Sequence, residues 1–381
     1  MYPIVAPPIS DGTVVVAGST IAYVGPRASA PPGEDLDLGD VILAPGLVNA
    51  HTHLDLTALR GTLDGLAFFD WIRAIVAARA KLTAEQLLES SRAGIREGLQ
   101  AGITTFADTA ANDAPFRAML ELGVRGIAYR EVFGPDPAQC DASMSELSGA
   151  VAAMRASEND LVRVGVSPHA PYSVSDELYS AAAKFARDEK LPLAAHIAES
   201  DAESELVTKG DGDFSGFLKS RNIETKRRAK SPIALLQKTG VLAENALLIH
   251  CVRCDDADIA TISKHGSGVA TCPASNNFFG HGAARVASMR LAGIRVGAGS
   301  DSMASNVRMD VLHEARLALG AKAHESAVWE LATLGGARAL RLDHLIGSLE
   351  PGKQADLAAF SSVDPAHASF VMVAGRELFR A

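Results

Sequence analysis

Short apolar runs rich in β-branched residues alternate along most of the chain with stretches whose apolar positions recur every three or four residues. The runs are Val41–Asn49, Ile103–Asp108, Val124–Phe133, Val162–Ser167, Leu191–His196, Ala246–His250, Gly268–Cys272 and Ile294–Gly299. Their length and composition suit buried strands. The stretches between them read as amphipathic helices: Ala84–Gln100, Pro115–Leu122, Ser175–Asp188, Ile233–Lys238 and Ala257–Lys264. In the first of these, Leu87, Leu88 and Ile95 share one face, and Thr83 with Gln86 forms a capping box ahead of it. Strands alternating with helices imply parallel pairing through right-handed crossovers. Eight such units over about 300 residues predict an α/β fold of the closed (β/α)8 type, a TIM-like barrel. The competing open sheet would carry a Gly-x-Gly-x-x-Gly turn, and none is present.

The two chain ends read differently. Thr13–Ala17 and Thr20–Val24 flank Gly18-Ser19 as a hairpin. After a helical stretch over 325–342, Asp356–Phe360 and Phe370–Val373 read as strands, with a turn at Ala374-Gly375-Arg376-Glu377. Both ends are β-like and Gly/Pro-punctuated. The simplest arrangement is one composite β-sandwich from residues 1–44 and 343–381, beside a catalytic barrel spanning 45–342. The segment 203–240 is longer than one helix needs and reads as carrying an insertion.

Composition narrows the partners. The 381 residues are 48% hydrophobic and 21% charged, with a net charge of −9. An acidic chain without a dominant basic patch gives nucleic-acid binding no electrostatic support. The cluster Lys226-Arg227-Arg228 with Lys230 reads as a solvated loop. No apolar run reaches the length of a membrane span, and the first residues lack the features of a signal peptide. Cys251-Val-Arg-Cys254 has no second pair to complete a four-thiolate site, so the four cysteines read as packed thiols in a reducing cytoplasm.

In a barrel, chemistry stands at the C-terminal ends of the strands. There the sequence places His51 and His53, His169, His196 with Glu199, His250, and Gly299-Ser300-Asp301-Ser302. Five of the 11 histidines thus fall at four strand ends, while His265, His281, His313, His324, His344 and His367 fall in helices, loops or the tail. Alternate residues of a strand point to one side, so His51 and His53 can share an ion. A site of His51, His53, His196 and Asp301 offers three nitrogens and a carboxylate. That set suits one divalent metal for hydrolytic chemistry, zinc first and iron second.

The His-x-His after Pro45-Gly-Leu-Val-Asn-Ala50, the His196-x-x-Glu199, the sixth-strand His250 and the Gly299-Ser-Asp-Ser302 together resemble the amidohydrolase superfamily. The resemblance runs over nearly the whole chain, including Pro351-Gly-Lys-Gln-Ala-Asp-Leu357. No lysine of the carbamylated kind stands at a strand end between the first strand and His196, which is similar to the mononuclear deaminase branch. Leu54–Trp71 is similar to cytosine and guanine deaminases, chlorohydrolases and S-adenosylhomocysteine/methylthioadenosine deaminases. The resemblance implies that His51, His53, His196 and Asp301 hold the metal. It further implies that Glu199 shuttles protons, His250 orients the attacking water and His169 touches the substrate base. Asp301 would share the handling of the water's proton. Trp71 and Asn276 would be substrate-binding, Asn276 within a substrate loop Cys272–Gly280 whose Phe278 and Phe279 read either as base-pocket lining or as core. The reaction implied is hydrolytic deamination by a metal-activated hydroxide, releasing ammonia.

Relatives acting on methylthioadenosine carry a ribose-binding Glu just before a basic-Leu-Thr, where this chain has Arg79-Ala-Lys-Leu-Thr83. At the third strand's end, Glu131 could hold ribose hydroxyls and Arg130 a carboxylate, or the two could be a salt-bridged pair on the rim. An adenosine-type base with a distal carboxylate fits 6-aminodeoxyfutalosine. The alternatives are a free base or s-triazine ring as substrate of a deaminase or chlorohydrolase, or a metal-binding barrel without catalysis. A small-molecule substrate follows from the first two, and a homo-oligomer is compatible with the family.

Overall fold

The computed structural model describes residues 1–361 and 367–381. The part of the composite sandwich over 362–366 lies outside the described residues. The strands, in chain order, are β1 (Gly12–Ala17), β2 (Thr20–Pro26), β3 (Val41–Pro45), β4 (Leu47–His53), β5 (Ile103–Ala110), β6 (Arg125–Val132), β7 (Val162–Pro168) and β8 (Leu193–Ile197). They continue as β9 (Ala246–His250), β10 (Gly268–Thr271), β11 (Val296–Ala298), β12 (Asp301–Ser302), β13 (Leu357–Ser361), β14 (Ala368–Val373) and β15 (Arg376–Arg380). The barrel helices begin with α1 (Phe68–Arg79), α2 (Ala84–Gln100), α3 (Ala114–Leu122), α4 (Cys140–Arg155), α5 (Asp176–Asp188) and α6 (Asp201–Lys209). The capping box expected at Thr83 is formed, with Gln86 N donating to its hydroxyl at 3.2 Å.

The parallel sheet runs β11-β10-β9-β8-β7-β6-β5-β4-β12. Its two edge strands are β11, within the eighth apolar run, and β12, just after it. One pairs with β10 and the other with β4, so this stretch closes the barrel by bridging its two edges. Inside the barrel floor, Val48, Ala50, Ala107, Ile127, Tyr129, Ala194, Leu247 and Ile249 pack together, plugged from below by Leu340, Leu342 and Ile346. Outside, Phe106, Leu88, Ile95 and Met119 fill the layer between strands and helices. The expected insertion over 203–240 is a second helix, Asp213–Ser220, and a loop before Pro232–Lys238.

The first apolar run, expected as one strand, divides at Gly46. Val41–Pro45 pairs antiparallel with β13 in the four-stranded sheet β15-β14-β13-β3, and only Leu47–His53 enters the barrel. A Cβ on Gly46 would stand 2.2 Å from Thr104, so glycine is what lets the chain cross there. The hairpin β1–β2 covers the sheet formed by the two ends: Ile21, Leu349, Ala355 and Leu357 are buried between them, with Val14 and Val24 against them.

A buried ion pair joins this sandwich to the barrel. Arg125 on β6 donates from Nε and Nη2 to the two Asp356 oxygens at 2.7 and 3.0 Å. Asp356 also accepts from the Ala374 amide at 2.8 Å. Removing one partner of a buried pair strands the other charge, at a cost of about 3–5 kcal/mol. Arg125→Met should therefore lower unfolding free energy by that much in urea titration, and Arg125→Met/Asp356→Leu should recover most of it. A single-variant loss below about 1 kcal/mol would contradict the role given to the pair.

Candidate active site

His51 and His53 reach the site through an irregularity of β4. Val48 and Ala50 belong to the barrel interior, so unbroken alternation would turn odd-numbered residues outward. The register with β5 slips between Asn49 and Thr52, and the slip re-aims His51 and His53 inward. The eighth run is drawn against them. Asn49 Nδ2 donates to Ser300 Oγ at 2.8 Å and Asn49 Oδ1 accepts from the Ser300 amide at 3.0 Å. A Cβ on Gly299 would lie 2.8 Å from the His51 nitrogen, so only glycine permits that approach. Asp301 then adopts φ +57° and His250 φ +74°, left-handed values that non-glycine residues hold only where the surroundings impose them.

The donor atoms converge. His53 Nε2 is 3.3 Å from His196 Nε2, His51 Nε2 is 3.3 Å from Asp301 Oδ1, and His53 Nε2 is 3.5 Å from the same oxygen. Four donors arranged tetrahedrally about an ion at about 2.1 Å would be about 3.4 Å apart. Proton bookkeeping agrees. His53 Nδ1 faces the Thr109 carbonyl at 2.7 Å and must donate to it, which leaves a lone pair on Nε2. That lone pair faces another imidazole and a carboxylate, an arrangement a cation satisfies. His51 Nδ1 and His196 Nδ1 are buried without a hydrogen-bond partner, and His51 Nε2 faces Asp301 Oδ1. Burial holds His51 down to about 4 and His196 well below its ordinary value, keeping both neutral as ligands require. Burial alone would raise the Asp301 carboxyl; hydrogen bonding and charge from the histidines hold it well below the usual range. The donor set fits a divalent metal.

Around this centre the other chemistry is graded by distance. Glu199 is buried, with Oε1 3.7 Å from His250 Nε2 and 3.8 Å from His281 Nε2. Burial, then the charge of Asp301, pushes its carboxyl well above the ordinary value. His250 lies 4.0 Å from Asp301 Oδ2, and its Nδ1 meets Asn276 Oδ1 at 3.1 Å. Asn276 thus positions His250 and does not line the reaction pocket. His169 stands 4.0 Å from Glu131 Oε1 and is oriented by Ser173 Oγ at 2.7 Å. Glu131 faces the pocket with His53, His169, Tyr172, Phe279 and Trp71. Phe278 is largely outside, 38% exposed.

Arg130 is not brought in. Adjacent strand residues point to opposite faces, so with Glu131 inward Arg130 turns outward, 3.6 Å from Glu146 and beside Arg117 and Phe116. The salt-bridged Arg130–Glu131 pair is likewise not formed. Three contributors were not visible in the sequence. His281, read there as a loop histidine, is buried, stacked on Phe279 and next to Glu199. Ser275 donates to Asp301 Oδ2 at 2.6 Å. Glu203 braces the turn after β8 by accepting from the Ala198 and Glu199 amides at 2.7 and 3.0 Å. Glu205, the other nearby acid, pairs with Lys209 at the surface. Cys251, Cys254 and Cys272 are buried free thiols, as the packed-thiol reading expects.

Second-sphere partners of a metal ligand are worth about 10–100-fold in affinity. Ser275→Ala should weaken metal binding by that range in competition with a chromophoric chelator, while circular dichroism stays unchanged. Unaltered affinity would contradict the role given to Ser275.

The chain can now be set beside known proteins. The model of the amidohydrolase family matches residues 42–378. A 5-methylthioadenosine/S-adenosylhomocysteine deaminase from Symbiobacterium thermophilum is 32% identical over 385 residues, covering 96% of this chain and 84% of the relative. The crystal structure of an adenosine deaminase from Xanthomonas campestris with bound zinc superposes with a TM-score of 0.85 at 26% identity, over 98% of this chain and 90% of that one. Helicobacter pylori aminofutalosine deaminase, in complex with methylthio-coformycin, has a TM-score of 0.86 at 19% identity, over 97% and 95%, a likeness of fold.

Proposed function

The chain belongs to the amidohydrolase family, a hydrolase acting on C–N bonds, and from that premise we propose that it deaminates adenosine-type nucleosides hydrolytically. The observation that carries this reading is Glu199: a buried carboxyl whose affinity for a proton is raised by burial and by Asp301, 3.7 Å from His250 and beside the donor cluster. The deaminase names of the relatives and the zinc of the Xanthomonas structure support it.

His51, His53, His196 and Asp301 would hold one divalent metal through nitrogen and oxygen, and zinc is proposed because the Xanthomonas relative carries it. The metal supplies Lewis acidity and brings a water's pKa toward neutrality. The remaining work falls to side chains. His250, fixed by Asn276, orients the attacking water, with Asp301 accepting from it. Glu199 moves a proton from the water to the ring nitrogen next to the amino-bearing carbon. It then carries the proton of the added hydroxyl to the departing amine as the C=O bond forms. One C–O bond forms, one C–N bond breaks, and the products are ammonia and the oxo ring. His169, oriented by Ser173, meets the ring from the opposite wall, and the unpartnered Glu131 Oε1 is available to a substrate hydroxyl. Among such nucleosides, 6-aminodeoxyfutalosine stays the finer candidate, although Arg130 cannot serve as its carboxylate partner from where it stands.

Two measurements test the proposal. Zinc-loaded protein should release ammonia from adenosine, methylthioadenosine, S-adenosylhomocysteine or 6-aminodeoxyfutalosine in preference to guanine and cytosine. Activity confined to the free bases would overturn the nucleoside assignment. Glu199→Gln should keep its metal and lose about 10²–10⁴-fold in kcat, the usual worth of a general acid–base. Undiminished kcat in that variant would remove Glu199 from the mechanism.

A further inference from the structure

Helix α1 presents Ile72, Ile75, Val76 and, one turn on, Arg79 to the reaction pocket. Arg79 is half-buried, and among the described residues no carboxylate lies within ion-pair distance of it. Other arginines near this face are engaged: Arg73 stands 3.9 Å from Asp70 and Arg130 3.6 Å from Glu146. The Arg79 charge acts through space on Glu131 and on His169, both of which line the pocket. A partly desolvated guanidinium without a partner at ion-pair distance is costly, and its planar fork matches a carboxylate or phosphate.

The space next to this pocket has room for what the ring carries. The pocket is the narrow end, about 90 Å³, of a wider opening. Ile72, Val76, Phe133, His169 and Tyr172 also line a second cavity of about 640 Å³, so whatever the ring carries has room to extend there. Arg221 borders that cavity, 5.7 Å from the Phe217 ring, as does Arg73, which faces Asp70. The acid among its lining residues, Glu146, is the one already facing Arg130.

We propose that Arg79 is the anion anchor of the reaction pocket: the substrate bears a carboxylate or phosphate that the Arg79 guanidinium binds while the amino-bearing ring faces Glu199. This inference rests on the deaminase reading of the same site and adds the charge of the substrate to it. The competing role for Arg79 is structural, a cation in the last turn of α1 favoured by the helix dipole.

Adenosine 5′-carboxylic acid and adenosine 5′-carboxamide differ in charge and little else, and AMP places phosphate at the same point. Ammonia release and direct binding, read from Trp71 fluorescence in the pocket, are followed for all three. The wild-type protein should favour the acid over the amide by roughly 10–100-fold, the worth of a charge-assisted hydrogen bond. Arg79→Leu should bring that ratio close to one, mainly through KM of the acid, and Arg79→Lys should keep part of it. Tighter binding of AMP than of the acid would assign phosphate as the anion, and the reverse would assign carboxylate. Equal handling of acid and amide by the wild type, or a loss in Arg79→Leu shared equally by both, would overturn the inference and leave the dipole role. Charge-selective, Arg79-dependent binding without ammonia would uphold it and overturn the deaminase reading. Absence of both binding and release would overturn both.

Discussion

The site depends on how the barrel closes. The chain from the eighth apolar run into Asp301-Ser302 breaks at Gly299-Ser300, so that its first part pairs with β10 and its second with β4. Asn49 clamps the break from the first strand, and Gly299 has no side chain to keep His51 away. That closure puts Asp301 opposite Thr52 and Ser302 opposite His53. Without it, His51 and His53 would face a gap and Asp301 would belong to a loop. The left-handed backbone at His250 and Asp301 is strain that the closed, fully buried sheet is able to impose.

Much of the fold could be read from periodicity. Runs of β-branched residues separated by amphipathic stretches fix a parallel α/β arrangement, since neither can bury its apolar face alone. Helix α2 shows how local rules suffice when they agree: cap, face and length all specify Ala84–Gln100, and the structure has that helix. The first strand is where periodicity falls short. Val41 to Asn49 is one apolar run, yet it serves two sheets, because Gly46 lets the chain cross from one to the other. A continuous run carries no mark of where its pairing partner changes.

The site was legible to the extent that it stands on strand ends. His51, His53, His196 and Asp301 gather at distances suited to one ion, with Glu199 and His250 beside them. What stood on turns was not legible. His281 lies in a loop after Pro273–Phe278, and only the fold shows it stacked beside Glu199. Ser275 and Glu203 act through hydrogen bonds that no spacing announces. The Arg130–Glu131 pair shows the opposite error: adjacent residues on a strand cannot face one pocket, and the alternation that made the strand recognisable also separates them. The cation that does line the pocket, Arg79, comes from a helix that precedes the second barrel strand.

The account rests on four side chains from three strands converging on one metal. Zinc-edge X-ray absorption of the loaded protein tests this most directly. The expected first shell is nitrogen and oxygen alone at about 2.0–2.1 Å, with outer-shell scattering from three imidazoles. Sulfur at about 2.3 Å, which would bring in Cys251, Cys254 or Cys272, or fewer imidazoles than three, would contradict it.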